Sequence, residues 1–191
     1  MNDIKVVTKI LQTNDEIAAQ NNKILNEKGI YAVIEGDIYT IKDSERIEAQ
    51  GVPVVQINTG GACHLDSDMV RSSLNILNLD RVDLLVIENV GNLVCPAEFE
   101  IGEDIKISIL STPEGNDKPL KYPLMFEKSA VIILNKIDLI QFTDFNKKKF
   151  YEDIKSLNEP AILFETSCTK DEGIDKFCSF LLNKVYEKKE G

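Results

Sequence analysis

The stretch "AVIILNKID", residues 130–138, decides the fold. Ala130 to Leu134 are apolar without interruption, too few for a helix and without the polar alternation of a half-exposed strand. Such a run is a strand buried on both faces, and it leaves the core through the polar tail Asn135-Lys136-Ile137-Asp138. The same form recurs along the chain in "YAVIEGD" (31–37), "VPVVQINTGG" (52–61), "VDLLVIENVG" (82–91), "IKISIL" (105–110) and "AILFETS" (161–167). Between them lie helix-like stretches at 65–78, 144–158 and 172–188. The last of these repeats Ile174, Phe177, Cys178, Leu181, Leu182 and Val185 at helical spacing, which puts Cys178 in the core. Buried strands alternating with amphipathic helices predict an α/β protein, a mainly parallel sheet flanked by helices. Ligands of such sheets bind at the carboxyl ends of the strands, so the polar tails are where function is sought.

Ahead of the first of these strands, "TNDEIAAQNNKILNEKG" (13–29) predicts a helix. Thr13 and Glu16 have capping-box spacing, and Gly29 suits the left-handed residue after the last turn. The domain division that follows is an N-terminal helical segment, 1–30, and an α/β domain, 31–191. The proline-bearing stretch "PEGNDKPLKYP" (113–123) is the one long irregular connection.

At 191 residues, 43% hydrophobic and 28% charged, the chain is expected to build one core. A formal net charge of −10 argues against a nucleic-acid surface, which needs clustered Lys and Arg, but not against one local nucleotide pocket. No apolar run approaches the ~20 residues of a membrane span, and the start lacks a secretion signal's layout. The expected address is the cytoplasm, where the four cysteines stay reduced.

"NKID" has the form that guanine recognition requires: the Asp138 carboxylate accepts from the N1 and N2 edge of the base, and the Lys136 stem covers its face. The plainer reading is a strand exit with ordinary polar residues. Some thirty residues on, the tail "ETSCTK" places Ser167, Cys168 and Thr169 where GTP-binding proteins offer backbone N–H groups to the guanine O6. In "ENVGNL", Glu88 and Gly91 have the spacing of a Mg²⁺-side carboxylate and a glycine that senses the γ-phosphate; a strand-end surface glutamate is the alternative. Asp37 in "EGD" is a second Mg²⁺-side candidate or simply a turn aspartate.

The only histidine, His64, follows Cys63, and Cys95 lies just beyond another strand. Imidazole and thiolate suit Zn²⁺ and Ni²⁺. Three ligands fall one short of a closed structural site, a shortage that two chains at a two-fold axis remove by pooling. Against this stands a buried thiol beside a hydrogen-bonded turn histidine.

"AVIEGDI", "RIEAQGVPVVQINTGGACHLD", "DLLVIENVGNLVCPAEFEIGED", "EGNDKPLKYPLMF" and "LNKIDL" together resemble the hydrogenase nickel-incorporation GTPase family, HypB, a group of metallochaperone P-loop NTPases related to the urease-accessory G proteins. The resemblance runs over essentially the whole chain. It implies a cytoplasmic GTP- and Mg²⁺-dependent homodimer that helps deliver nickel to the [NiFe]-hydrogenase large subunit alongside a maturation partner. It also implies a Ni²⁺ or Zn²⁺ site at the dimer interface on Cys63, His64 and Cys95, and nucleotide contacts from Asn135, Lys136, Asp138, Ser167, Cys168 and Thr169. One departure stands out. The family's Gly-rich loop ending Gly-Lys-Ser/Thr belongs ahead of "VIEGD", and Gly-Lys occurs nowhere in this sequence. By that comparison the first strand, the phosphate loop and the first helix are missing, so neighbouring strand edges should be unpaired or the sheet rearranged, and GTP hydrolysis is doubtful. The alternative function is a nucleotide-independent Ni²⁺/Zn²⁺-binding dimer that stores or hands over metal.

Overall fold

The computed structural model describes residues 5–11, 31–38, 41–77 and 79–190, with 5–11, 81 and 189–190 given by backbone alone. Seven parallel strands form one sheet: β1 (Lys5–Leu11), β2 (Tyr31–Asp37), β3 (Val54–Asn58), β4 (Leu84–Asn89), β5 (Ile105–Ser111), β6 (Val131–Asn135) and β7 (Ile162–Glu165). Their order is β3-β2-β4-β1-β5-β6-β7. The helices are α1 (Lys42–Glu48), α2 (Ser67–Leu74), α3 (Cys95–Glu98), α4 (Lys118–Lys121), α5 (Pro123–Lys128), α6 (Lys147–Leu157) and α7 (Ile174–Glu190). Among the described residues no helix is long and apolar enough to cross a membrane.

Successive residues of each strand feed opposite layers, as the pleat requires. In β6, Val131 and Ile133 join one cluster with Phe177, Cys178 and Leu181 of α7. Ile132 and Leu134 join a second with Ala97 of α3, Met125 and Phe126 of α5, and Phe150 of α6. Over β2 and β4 a third cluster adds Leu65 and Val70 from the α2 side. The sheet is thus covered on both faces, which is why its strands read as apolar runs rather than alternations.

The centre of the sheet corrects the sequence reading. Lys5–Leu11, assigned there to a helical N-terminal segment, runs extended as β1. It pairs with β4 in the register Lys5↔Leu84 to Ile10↔Asn89, and with β5 from Val7↔Ile105 to Leu11↔Ile109. The physical reason lies in its neighbours. Without β1, β4 and β5 each present a row of unpaired backbone groups in the middle of a covered sheet, and "KVVTKIL" is rich in residues that favour strands. Tertiary pairing overrides continuity with the helix expected after it; that helix, 13–29, lies outside the described residues.

A smaller correction falls at 113–123, where the expected irregular connection contains a 3₁₀ turn (Thr112–Glu114) and α4. Pro113 and Pro119 sit in the first turns of these elements, where a missing N–H costs nothing.

Candidate functional site

All seven strands end at one edge of the sheet, and most of the sequence-predicted residues gather there. The loop after β3 closes on itself. The Asn58 carboxamide accepts from Gly60 N–H at 2.8 Å, and Thr59 Oγ1 donates to the Ala62 carbonyl at 2.8 Å. Gly60 and Gly61 both take left-handed conformations, with φ of 61° and 98°, which a side chain would resist. Beyond the turn, Cys63 and His64 are half-buried, and Asp66 caps α2 by accepting from Met69 N–H at 2.8 Å. Between them Leu65 is buried, and its N–H donates to the Asn89 side chain at 2.8 Å. The Leu65 side chain lies where a Cβ on Gly36 would meet it at 2.7 Å, so only glycine fits between Glu35 and Asp37.

Cys95 opens α3 on the neighbouring loop. Asn92 Oδ1 accepts from Val94 N–H at 2.8 Å and from Cys95 N–H at 3.4 Å, while its amide lies 3.7 Å from Cys95 Sγ. Cys63 Sγ is 2.7 Å from Cys95 Sγ and 3.7 Å from His64 Nδ1. One ligand atom from each of Cys63, His64 and Cys95 lies within 4.8 Å of the other two. The His64 ring stacks on Phe99 at 3.9 Å between centroids, tilted by 14°. Two thiols and an imidazole at this separation suit a borderline-soft ion such as Zn²⁺ or Ni²⁺, and leave coordination positions for another donor. The thiol–thiol contact, ahead of burial, raises the Cys95 pKa above its ordinary value.

Of the residues expected toward Mg²⁺, Asp37 is the one with neighbouring carboxylates among the described residues. Carboxylate oxygens of Glu35, Asp37 and Asp43 lie within 4.8 Å of one another, so Asp37 has two companions that sequence reasoning missed. Glu88 stands opposite Glu35 in the β2–β4 ladder but is not in that group, and Gly91 is exposed beyond β4. Glu35 was visible in the same "EGD" as Asp37; Asp43 carried no signal, because α1 went unrecognised.

The guanine candidates converge in part. Lys136 takes a left-handed conformation, φ 58°, and its carbonyl accepts from Thr112 Oγ1 at 2.7 Å. Asp138 receives Ser167 Oγ at 2.6 Å and Thr169 Oγ1 at 3.2 Å, and these hydrogen bonds, Ser167 first, hold its pKa below the usual carboxylate range. Ser167 N–H is committed to the Glu172 carbonyl at 3.0 Å, and its hydroxyl proton to Asp138. Cys168 is buried, with Sγ 3.8 Å from Asn135 Oδ1. Asn135 is wholly buried; its Oδ1 accepts from Thr166 Oγ1 at 3.0 Å, while its Nδ2 has no acceptor among the described residues. A buried amide donor left open at a strand end suits a ligand or loop that supplies an acceptor.

Fold and site define the class first: a parallel α/β domain in which two thiols and an imidazole converge beyond the strand ends. A family model described as "CobW/HypB/UreG, nucleotide-binding domain" matches residues 20–165. The hydrogenase maturation factor HypB of Escherichia coli (strain K12) is 45% identical over 150 residues, covering 78% of this chain and 52% of the relative. The chain therefore spans about half the length of that relative. The hydrogenase/urease maturation factor HypB of Helicobacter pylori (strain J99) is 36% identical over 216 residues, covering 97% of this chain and 89% of the relative. That alignment is longer than the chain itself, so the relative has segments with no counterpart here. A crystal structure of HypB from H. pylori in complex with nickel superposes with a TM-score of 0.90 at 34% identity, over 97% of this chain and 88% of that one. HypB from Archaeoglobus fulgidus gives 0.86 at 28% identity, over 95% and 90%. The chain belongs to the HypB family.

Proposed function

We propose that this chain binds Ni²⁺ or Zn²⁺ as cargo on Cys63, His64 and Cys95, pooled between two copies in a homodimer. In this role it helps deliver nickel to the [NiFe]-hydrogenase large subunit in the cytoplasm, together with a maturation partner. The carrying observation is the convergence of three donor atoms within 4.8 Å from two loops that lie far apart in sequence. The nickel named for the H. pylori relative supports the choice of metal. A guanine nucleotide is proposed to sit between Lys136 and Asp138, with Ser167 and Thr169 beside it and Asp37 toward Mg²⁺. Hydrolysis is not expected, because a Gly-Lys loop to cradle the β and γ phosphates is absent from the sequence.

The second reading, a nucleotide-independent metal dimer, is favoured by one specific contrast: the metal triad is complete, while the phosphate-binding half of the nucleotide site has no counterpart in the sequence. Titration with Ni²⁺ and Zn²⁺, with and without GTP and Mg²⁺, separates the two when molecular mass is followed by light scattering. The proposal expects about one or two ions per dimer, by ligand count, and loss of binding in Cys63→Ala and Cys95→Ala. Metal binding that survives both substitutions would sink it. Binding that depends on the cysteines but ignores nucleotide would select the second reading.

A further inference from the structure

β5 reads Ile105-Lys106-Ile107-Ser108-Ile109-Leu110-Ser111, and Lys106 is its one charged residue. The strand is buried along its whole length, and the Lys106 side chain is only 8% exposed. A buried ammonium is costly unless every proton has a partner, so its partners identify what it holds. Ile105, Ile107 and Ile109 feed the α7 layer, which leaves Lys106 on the opposite face, toward α3. Its Nζ donates to the carbonyls of Pro96 at 3.2 Å and Phe99 at 3.4 Å, and pairs with Glu103 Oε1 at 3.2 Å. The Glu103 side chain is 6% exposed, and its Oε2 accepts from Ile101 N–H at 2.9 Å. Three donors meet three acceptors, and all three acceptors lie in the segment from Pro96 to Glu103.

That segment sets two of the three metal donors. Cys95 is the first residue of α3, and Phe99, whose carbonyl Lys106 grips, stacks its ring on His64. A single turn of four residues has no stability of its own, and its N-cap residue, Val94, contributes no side-chain hydrogen bond. A cation at its C-terminal carbonyls is favoured by the local dipole as well as by direct hydrogen bonding. We propose that the buried Lys106–Glu103 pair is a positioning device for the metal site, clamping the turn that presents Cys95 and the ring that orients His64. The inference rests on the metal-binding reading above. Lys106 is no ligand; it acts through Cys95 and Phe99.

The test uses Co²⁺ as a spectroscopic probe, titrated into the whole chain and read by its thiolate charge-transfer and ligand-field bands. Lys106→Met removes the charge at similar length. Glu103→Gln/Lys106→Met removes both charges, so that no unpaired carboxylate is left buried to unfold the protein; circular dichroism verifies the fold. Both variants are expected to weaken Co²⁺ binding about 10–100-fold and to shift or weaken the thiolate band, the range typical when a group that orients a metal ligand is lost. Lys106→Arg, which keeps the charge, is expected to fall closest to wild type. A folded double variant with wild-type affinity and spectrum would overturn the clamp, even if its melting temperature drops, since a merely structural role predicts that outcome. If the wild-type chain itself shows no thiolate–cobalt band, the metal reading fails, and the clamp falls with it.

Discussion

A thiol held against a second thiol gives up its proton reluctantly, and Cys95 is in that position beside Cys63. Metal binding must displace the proton, and a pKa raised above the ordinary thiol value keeps the free thiol protonated at every pH below that value. Affinity is expected to rise with pH and to fall by about tenfold per unit for each proton displaced as the pH drops. Competition with a chromophoric chelator between about pH 8 and pH 6 measures this, and a flat profile would contradict thiolate ligation. Asp138 has the opposite shift. Its pKa is lowered by Ser167 and Thr169, so its contribution is complete above the ordinary carboxylate value and is lost as pH falls through the lowered one. Nucleotide recognition through Asp138 is therefore expected to be insensitive to pH near neutrality. Asp138→Ala is predicted to erase any preference for a fluorescent GDP analogue over its adenine counterpart; a retained preference would place the base elsewhere.

The elements that carry these residues were legible to different degrees. β2 to β7 and the helices α2, α6 and α7 follow the apolar runs and stripes of the sequence closely, because a doubly covered parallel sheet leaves a continuous apolar signature. Cys63, His64 and Cys95 were legible as candidate donors by residue type, and their meeting rests on loops whose closure is set by Asn58, Thr59, Asn89 and Asn92. Such side-chain-to-backbone bonds have no periodicity to detect. Neither has the Phe99–His64 stack, which pairs a loop residue with a helix C-cap. Gly36 joins the two regions: it admits Leu65, whose neighbour His64 is a proposed ligand, and it sits between Glu35 and Asp37. Gly36→Ala is expected to push Leu65 aside, costing about 1–3 kcal/mol as an overpacked core does. Weaker metal affinity should accompany the loss. Chemical denaturation and the cobalt titration check the two effects together, and a silent substitution would remove Gly36 from the account.

At the scale of the molecule, β1 closes the sheet between β4 and β5. It was hidden because the sequence around it continues into an expected helix, and only the gap it fills explains its conformation. Val7 stands opposite Val86 on one side and Ile105 on the other. Val7→Pro deletes a central ladder donor, leaves its acceptor unpaired and is expected to cost about 1–3 kcal/mol, seen as a lower denaturation midpoint; an unchanged midpoint would remove β1 from the sheet. The chain lacks Gly-Lys anywhere, so phosphate release from GTP is expected to stay at the no-enzyme rate. Cys63, His64 and Cys95 do converge, and the most direct test of the proposed metal site is X-ray absorption on the nickel- or zinc-loaded chain. The account predicts a coordination shell containing both sulfur and imidazole nitrogen, with sulfur lost in Cys63→Ala/Cys95→Ala. A shell of nitrogen and oxygen alone in the wild-type protein would contradict it.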